Sequence, residues 1–118
     1  MEQRYRIKKN QHFVRAYKKA RRFYNRNLSI YIVENGLDNK RFGFTLSRKF
    51  GKANKRNKIK RRLREIVRLN LDRFEDGYDY IILPKNNCLK LKYKDLEKTL
   101  FHCLAFSKKK KKWTSYLF

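Results

Sequence analysis

The sequence predicts one domain, an α+β or α/β sandwich built around a single sheet. Two observations point there. Apolar residues recur at helical spacing in three segments and alternate in the segments between, in the order helix, strands, helix, strand, helix. The chain has 118 residues, 41% of them hydrophobic with nine Phe and eight Tyr, which is enough for one small core and too little for two.

The first helix is expected from Asn10, a competent N-cap, to Ala20, with Phe13, Ala16, Tyr17 and Ala20 on one face. In "FYNRNLSIYIVEN", Leu28, Ile30 and Ile32 alternate with Ser29, Tyr31 and Val33, a strand with two usable faces. "NGLDN" supplies a turn, and "RFGFTLSRK" reads as a second strand antiparallel to the first. A loop through Gly51 leads to a long helix over 54–74, whose buried stripe is Ile59, Leu63, Ile66, Val67, Asn70 and Phe74. "EDGYD" is expected to end that helix through Gly77, and "YDYIILP" is a short apolar strand closed by Pro84. The last helix is expected from Tyr93 to Ser107, with Leu96, Leu100, Phe101, Leu104 and Ala105 inward. A basic, mobile tail from about residue 107 follows, containing "KKKKK", Lys108 to Lys112.

Charge narrows the function. The 34 basic and 10 acidic side chains leave a formal net charge of +24, a self-repulsion that a polyanion would relieve. Nucleic acid fits better than an anionic membrane surface, and no apolar run approaches the roughly 20 residues of a membrane span. The N-terminal "MEQRYRIKKN" lacks the apolar segment of a signal peptide. Cys88 and Cys103 form no C-x-x-C, so they read as ordinary buried side chains of a reduced, cytoplasmic protein.

The charge is concentrated. Residues 47–68, "SRKFGKANKRNKIKRRLREIVR", hold eleven Lys or Arg and a single acid, Glu65. At about 100° per residue, Arg56, Lys60 and Arg64 form one ridge, and Asn57, Arg61 and Arg68 a neighbouring one, both away from the core. A mixed-sign face would read as merely solvated. Like charges at i,i+4 weaken a bare helix, so a face of one sign matches phosphates better. Asn57 offers an amide for backbone, sugar or base edges, or alternatively a local brace for the preceding loop. Gly51 permits a positive φ that would fold Lys49 and Lys52 back beside the helix N-terminus, itself attractive to anions. Phe13, Tyr17 and Tyr31 are candidates for stacking single-stranded bases, set against the simpler role of core aromatics.

Residues for chemistry of its own are scarce. His12 and His102 fall in different helices without an evident carboxylate or cysteine partner. Asp72, Glu75, Asp76 and Asp79 cluster near the end of the long helix and could hold Mg²⁺, although a helix-ending turn explains them more simply. No Gly-rich phosphate loop, nucleophile elbow or zinc spacing is present.

The segment "SRKFGKANKRNKIKRRLRE" resembles the signature of the bacterial ribonuclease P protein family, S-K-K-x-G-x-A-V-x-R-N-R-x-K-R-x-x-R. The matching positions are Ser47, Lys49, Gly51, Ala53, Arg56, Asn57, Lys60, Arg61 and Arg64, with Ile59 at an unspecified position between them. "RYRIKKNQHFVRAYKKA", "YDYIILP" and "YKDLEKTLFHCL" are similar to the family's first helix, last strand and last helix. Arg48 and Lys58 keep the family's charge, Lys58 without the guanidinium fork. Asn54 stands for the usual Val, and Ala20 where many members have Gly.

The resemblance implies a ribosomal-protein-S5-domain-2-like fold, order α-β-β-β-α-β-α around one central mixed sheet. Its β-α-β crossover would be left-handed, against a general rule that favours the right hand in about 98% of cases. It implies a non-catalytic subunit that binds a catalytic RNA one to one, with no obligate protein partner and no membrane. That RNA would hold the Mg²⁺ and remove the 5′ leader of precursor tRNA, the protein itself holding no metal. The implied docking residues are Lys49, Arg56, Asn57, Lys60, Arg61 and Arg64, with Lys52 and Arg68 on the same basic surface. Phe13, Tyr17, Ser29 and Tyr31 would line a leader cleft between the first helix and the sheet. The alternatives are a ribosomal or general structured-RNA-binding protein without a catalytic partner, and a protein-only nuclease using Asp76 and Asp79.

Overall fold

Asn25 turns the chain back on itself at the start of the sheet. Its side-chain oxygen accepts from the N–H groups of Asn27 and Leu28 at 2.9 and 3.0 Å, and its own N–H donates to the Leu28 carbonyl. The turn joins β1 (Arg21–Tyr24) to β2 (Leu28–Glu34) as an antiparallel hairpin. The computed structural model describes residues 3–7, 20–46 and 51–117, the side chains of residue 3 and of 109–117 excepted. The helix expected from Asn10, with Phe13 and Tyr17, lies outside them, Ala20 apart, as does Lys49.

Three further elements complete the sheet and its cover: β3 (Arg41–Phe44), α1 (Ala53–Leu69) and β4 (Tyr78–Pro84). The strand order is β1-β2-β4-β3, with β4 antiparallel to β2 and parallel to β3. The sheet is mixed, as expected. "NGLDN" does not close a hairpin, however, because β4 lies between β2 and β3. A parallel pair needs a long crossover, which α1 supplies between β3 and β4.

The helix α1 stops at Leu69, well before Phe74. Asn70 leaves helical geometry at φ −132°, and its side chain donates back to the Ile66 carbonyl at 2.7 Å. A 3₁₀ turn over Leu71–Arg73 follows, and Gly77 serves the entry into β4 rather than the helix end. Ile59, Leu63, Ile66, Val67 and Phe74 are buried as expected, while Asn70 is only half-buried. The last helix, α2 (Tyr93–Leu117), runs past the expected end at Ser107 and through the lysine run. It buries Leu96, Leu100, Phe101, Cys103 and Leu104. Ala105 is exposed, because it lies half a turn around the helix from Leu96.

One face of the sheet carries the main core. Phe23, Leu28, Ile30, Phe42, Tyr80 and Ile82 pack there against α1 and α2. Phe42, Phe74 and Tyr80 form a mutually contacting aromatic set, with ring centroids 4.9 to 5.5 Å apart. On the opposite face Ile7 and Ile81 are buried with Tyr31, Val33 and Leu83 beside them.

Candidate nucleic-acid interface

Burying Ile59, Leu63, Ile66 and Val67 leaves α1 only one way to turn its charges. Arg56, Lys60 and Arg64 flank the body of the domain, half-buried, while Asn57, Arg61 and Arg68 are exposed. Among the described residues no salt bridge involves Lys52, Arg56, Lys60, Arg61 or Arg64. Arg68 differs. Its guanidinium donates to both oxygens of Glu65 at 2.6 and 3.0 Å, which holds the Glu65 carboxyl below its ordinary range and raises Arg68.

The start of the helix is prepared by its sequence. Gly51 has φ +131°, a conformation that side-chain-bearing residues rarely adopt, although the space around it is open. Lys52 occupies the N-cap position without a side-chain cap bond. Within the first turn of α1, Asn54 Oδ1 accepts from the Lys55 N–H at 2.9 Å. Asn57 is exposed, and no hydrogen bond engages its amide among the described residues.

The second candidate surface is the sheet face bearing Tyr31. Directly opposed residues of neighbouring strands share a face, and the register sets Arg22 against Tyr31 and Tyr24 against Ser29. Tyr31 is half-buried among Ile81, Val33 and Leu83. Ser29 is buried, at 4% exposure, and its hydroxyl accepts from the Arg22 guanidinium at 3.4 Å. It therefore supports Arg22 rather than offering a free hydroxyl. Phe13 and Tyr17 lie outside the described residues.

The acids near the end of α1 have other work. Arg41 grips Asp79 with two bonds, Nε to Oδ1 at 2.8 Å and Nη2 to Oδ2 at 2.7 Å, and Asn35 donates to Oδ1 at 2.9 Å. Asp79 is 3% exposed, so this pair sits in a setting where a lone carboxylate would be strongly disfavoured. Lys40 is almost as deep; its ammonium donates to the Leu71 and Phe74 carbonyls at 2.6 and 2.9 Å and lies 3.7 Å from Asp76. With both Asp79 oxygens committed, the pairing of Asp76 and Asp79 does not fit a metal-ion site. Among the described residues no three His, Cys, Asp or Glu gather as metal ligands.

Lys40 and Arg41 are functional to the fold and escape a sequence reading. The one available signal was Asp79 inside an apolar strand, since a buried acid requires a cation nearby. His102 faces the Asn25 amide at 3.3 Å and the Phe106 ring, away from any carboxylate among the described residues. Cys88 and Cys103 are free and buried, donating to the Asn27 and Phe23 carbonyls, and burial pushes both thiols up to about 11. No described helix is long and apolar enough to cross a membrane.

Comparison with known proteins extends this picture. A family model described as Ribonuclease P matches residues 1–108. The ribonuclease P protein component of Finegoldia magna is 44% identical over 111 residues, covering 93% of this chain and 97% of that one. A Staphylococcus aureus ribonuclease P protein, solved as a mutant with defective mRNA degradation activity, superposes with a TM-score of 0.85 at 35% identity, covering 92% of each chain. The protein from Thermotoga maritima gives 0.77 at 29% identity, over 82% of this chain and 92% of its own.

Proposed function

The chain belongs to the ribonuclease P protein family, and from that premise we propose that it is the RNA-binding subunit of a tRNA-processing ribonucleoprotein. In this reading the cationic face of α1 docks onto the catalytic RNA, one protein to one RNA, in the cytoplasm. Lys49, Lys52, Arg56, Asn57, Lys60, Arg61, Arg64 and Arg68 form the docking set. Tyr31, with Phe13 and Tyr17, receives the 5′ leader of precursor tRNA, and Ser29 supports that surface through Arg22. Mg²⁺ held by the RNA supplies the phosphodiester chemistry. The protein contributes positive charge, which replaces counterions around the assembled RNA.

One observation carries the proposal: α1 presents Arg56, Lys60, Arg61 and Arg64 with no salt bridge among the described residues, on a helix whose buried stripe fixes their direction. Helices satisfied by themselves or by solvent mix their charges. The same face supplies both phosphate neutralisation and, through Asn57, a group able to hydrogen-bond sugar or base.

Reconstitution tests it. The purified protein is expected to leave precursor tRNA intact by itself, and to lower the Mg²⁺ and salt requirement of cleavage when added to the catalytic RNA. It should also prefer that RNA over a ribosomal RNA competitor. Metal-dependent cleavage by the protein alone, or equal binding to the competitor, would contradict the proposal.

A further inference from the structure

Tyr24 is the most exposed large aromatic among the described residues, at 58%, and it lies at the end of the edge strand β1. The Tyr24 ring belongs to neither hydrophobic cluster of the domain. The inward position on β1 belongs to Phe23, which is 6% exposed in the main core. The Arg22 guanidinium carbon stands 4.7 Å from the centre of the Tyr24 ring, and the Lys85 ammonium 5.6 Å from it. Lys85 is itself positioned: its ammonium donates to the Asn25 carbonyl at 3.0 Å, and its N–H to the Asn27 carbonyl at 2.8 Å. One ring and two cations are thus fixed together by the β1–β2 turn and the end of β4.

The strand and turn segments that build this corner carry charge of one sign. Residues 20–33 and 80–92 contribute Arg21, Arg22, Arg26 and Lys85 to this corner, and neither segment contains an acid. Register places Tyr24 opposite Ser29 and Arg22 opposite Tyr31, so Tyr24, Arg22 and Tyr31 share a sheet face. Two residues along β2 and one strand across, Tyr24 lies about 8 Å from Tyr31. An aromatic with an adjacent guanidinium and ammonium provides what a nucleotide requires, a π-face for the base and cations for its phosphates.

We propose that Tyr24, Arg22 and Lys85 form an additional nucleotide subsite, which stacks the base of a single-stranded leader beyond the nucleotide held at Tyr31. A base displaces Arg22 or Lys85 from the ring, and the freed cation pairs with the flanking phosphate. The subsite extends the contacted leader along the sheet towards the edge strand. It rests on the reading of the Tyr31 face as the leader surface.

The test uses the reconstituted holoenzyme and precursor tRNAs with leaders of graded length, with mature tRNA as the zero point. Tyr24→Ala should weaken binding by roughly 5- to 150-fold for long leaders only, the range that base–aromatic stacking implies. Tyr24→Phe should bind every leader like the unaltered protein, because the ring remains. Melting temperature should not change in either variant. Tyr31→Ala, run in parallel, should weaken short and long leaders alike. Should Tyr31→Ala show its leader effect while Tyr24→Ala shows none, the subsite is wrong and the leader surface stands. Loss of leader dependence in neither variant sinks both. A Tyr24→Ala defect of equal size for mature tRNA also overturns the subsite, since the ring would then touch something other than the leader.

Discussion

Lys40 and Arg41 are charged residues of the same kinds as Lys60 and Arg61, yet the fold treats the two groups in opposite ways. The first pair is enclosed. Arg41 holds Asp79 with two short bonds, and Lys40 closes the carbonyls of the turn that follows α1. The second pair lies on the outer side of α1 and forms no salt bridge among the described residues. A cation that the protein pairs internally stabilises the native state, whereas one left unpaired on an ordered helix adds repulsion until a polyanion arrives. Net charge alone does not separate these roles; the position of ten acids among 34 bases does.

The largest expected effect breaks the enclosed group. Asp79→Ala leaves Arg41 without its bidentate partner in a nearly buried setting, and should lower unfolding free energy by about 3 to 5 kcal/mol. Urea denaturation of the free protein measures this. Wild-type stability in that variant would place Asp79 outside the fold's framework and reopen a functional role for it. Lys40→Met keeps the stem but removes the ammonium, leaving the buried Phe74 carbonyl and the partly buried Leu71 carbonyl without this donor. A loss of about 1 to 3 kcal/mol is expected, with no change in the salt dependence of RNA binding once folding is saturated. A flattened salt slope would show that Lys40 belongs with the docking cations after all.

A smaller effect tests the core beneath both groups. Burial raises the Cys88 and Cys103 thiols from 9.0 to about 11, so the folded protein retains protons that the unfolded chain releases between those values. Stability from these groups is complete below pH 9 and declines as pH rises from 9 to 11. A Cys88→Ala, Cys103→Ala protein should show less of that decline in its urea midpoint. An identical pH profile in both proteins would remove the thiols from the account. Smallest of all is Glu65→Gln, which releases Arg68 from its ion pair. Assembly with RNA should become slightly tighter, and its salt slope steeper by less than about one unit.

How far the sequence could be read follows from the same contrast. The buried stripe of α1 was legible because Ile59, Leu63, Ile66 and Val67 keep helical period, and the stripe in turn points the cations outward. Gly51 was legible because only glycine takes φ +131° readily. Periodicity could not reveal the β1–β2 hairpin, since Asn25 makes its turn through side-chain bonds without glycine or proline. It also could not place β4 between β2 and β3, because strand order depends on contacts remote in sequence. The Asp79–Arg41 grip escaped for the same reason: the two residues are opposed only through the parallel register of β3 and β4. The end of α1 was missed because Phe74 continues the apolar pattern after Asn70 has already broken the helix.

The central claim is that direction, and not only amount, of positive charge makes α1 the docking surface. The measurement is the slope of log affinity for the catalytic RNA against log salt, compared between two variants that each lose two positive charges. Arg56→Ala with Arg61→Ala should flatten the slope by roughly 1 to 2 units and weaken assembly. Lys109→Ala with Lys111→Ala should change both quantities far less, and neither variant should melt earlier than the unaltered protein. Equal losses from the two variants would mean that charge count alone governs binding, and the assignment of docking to α1 would be wrong.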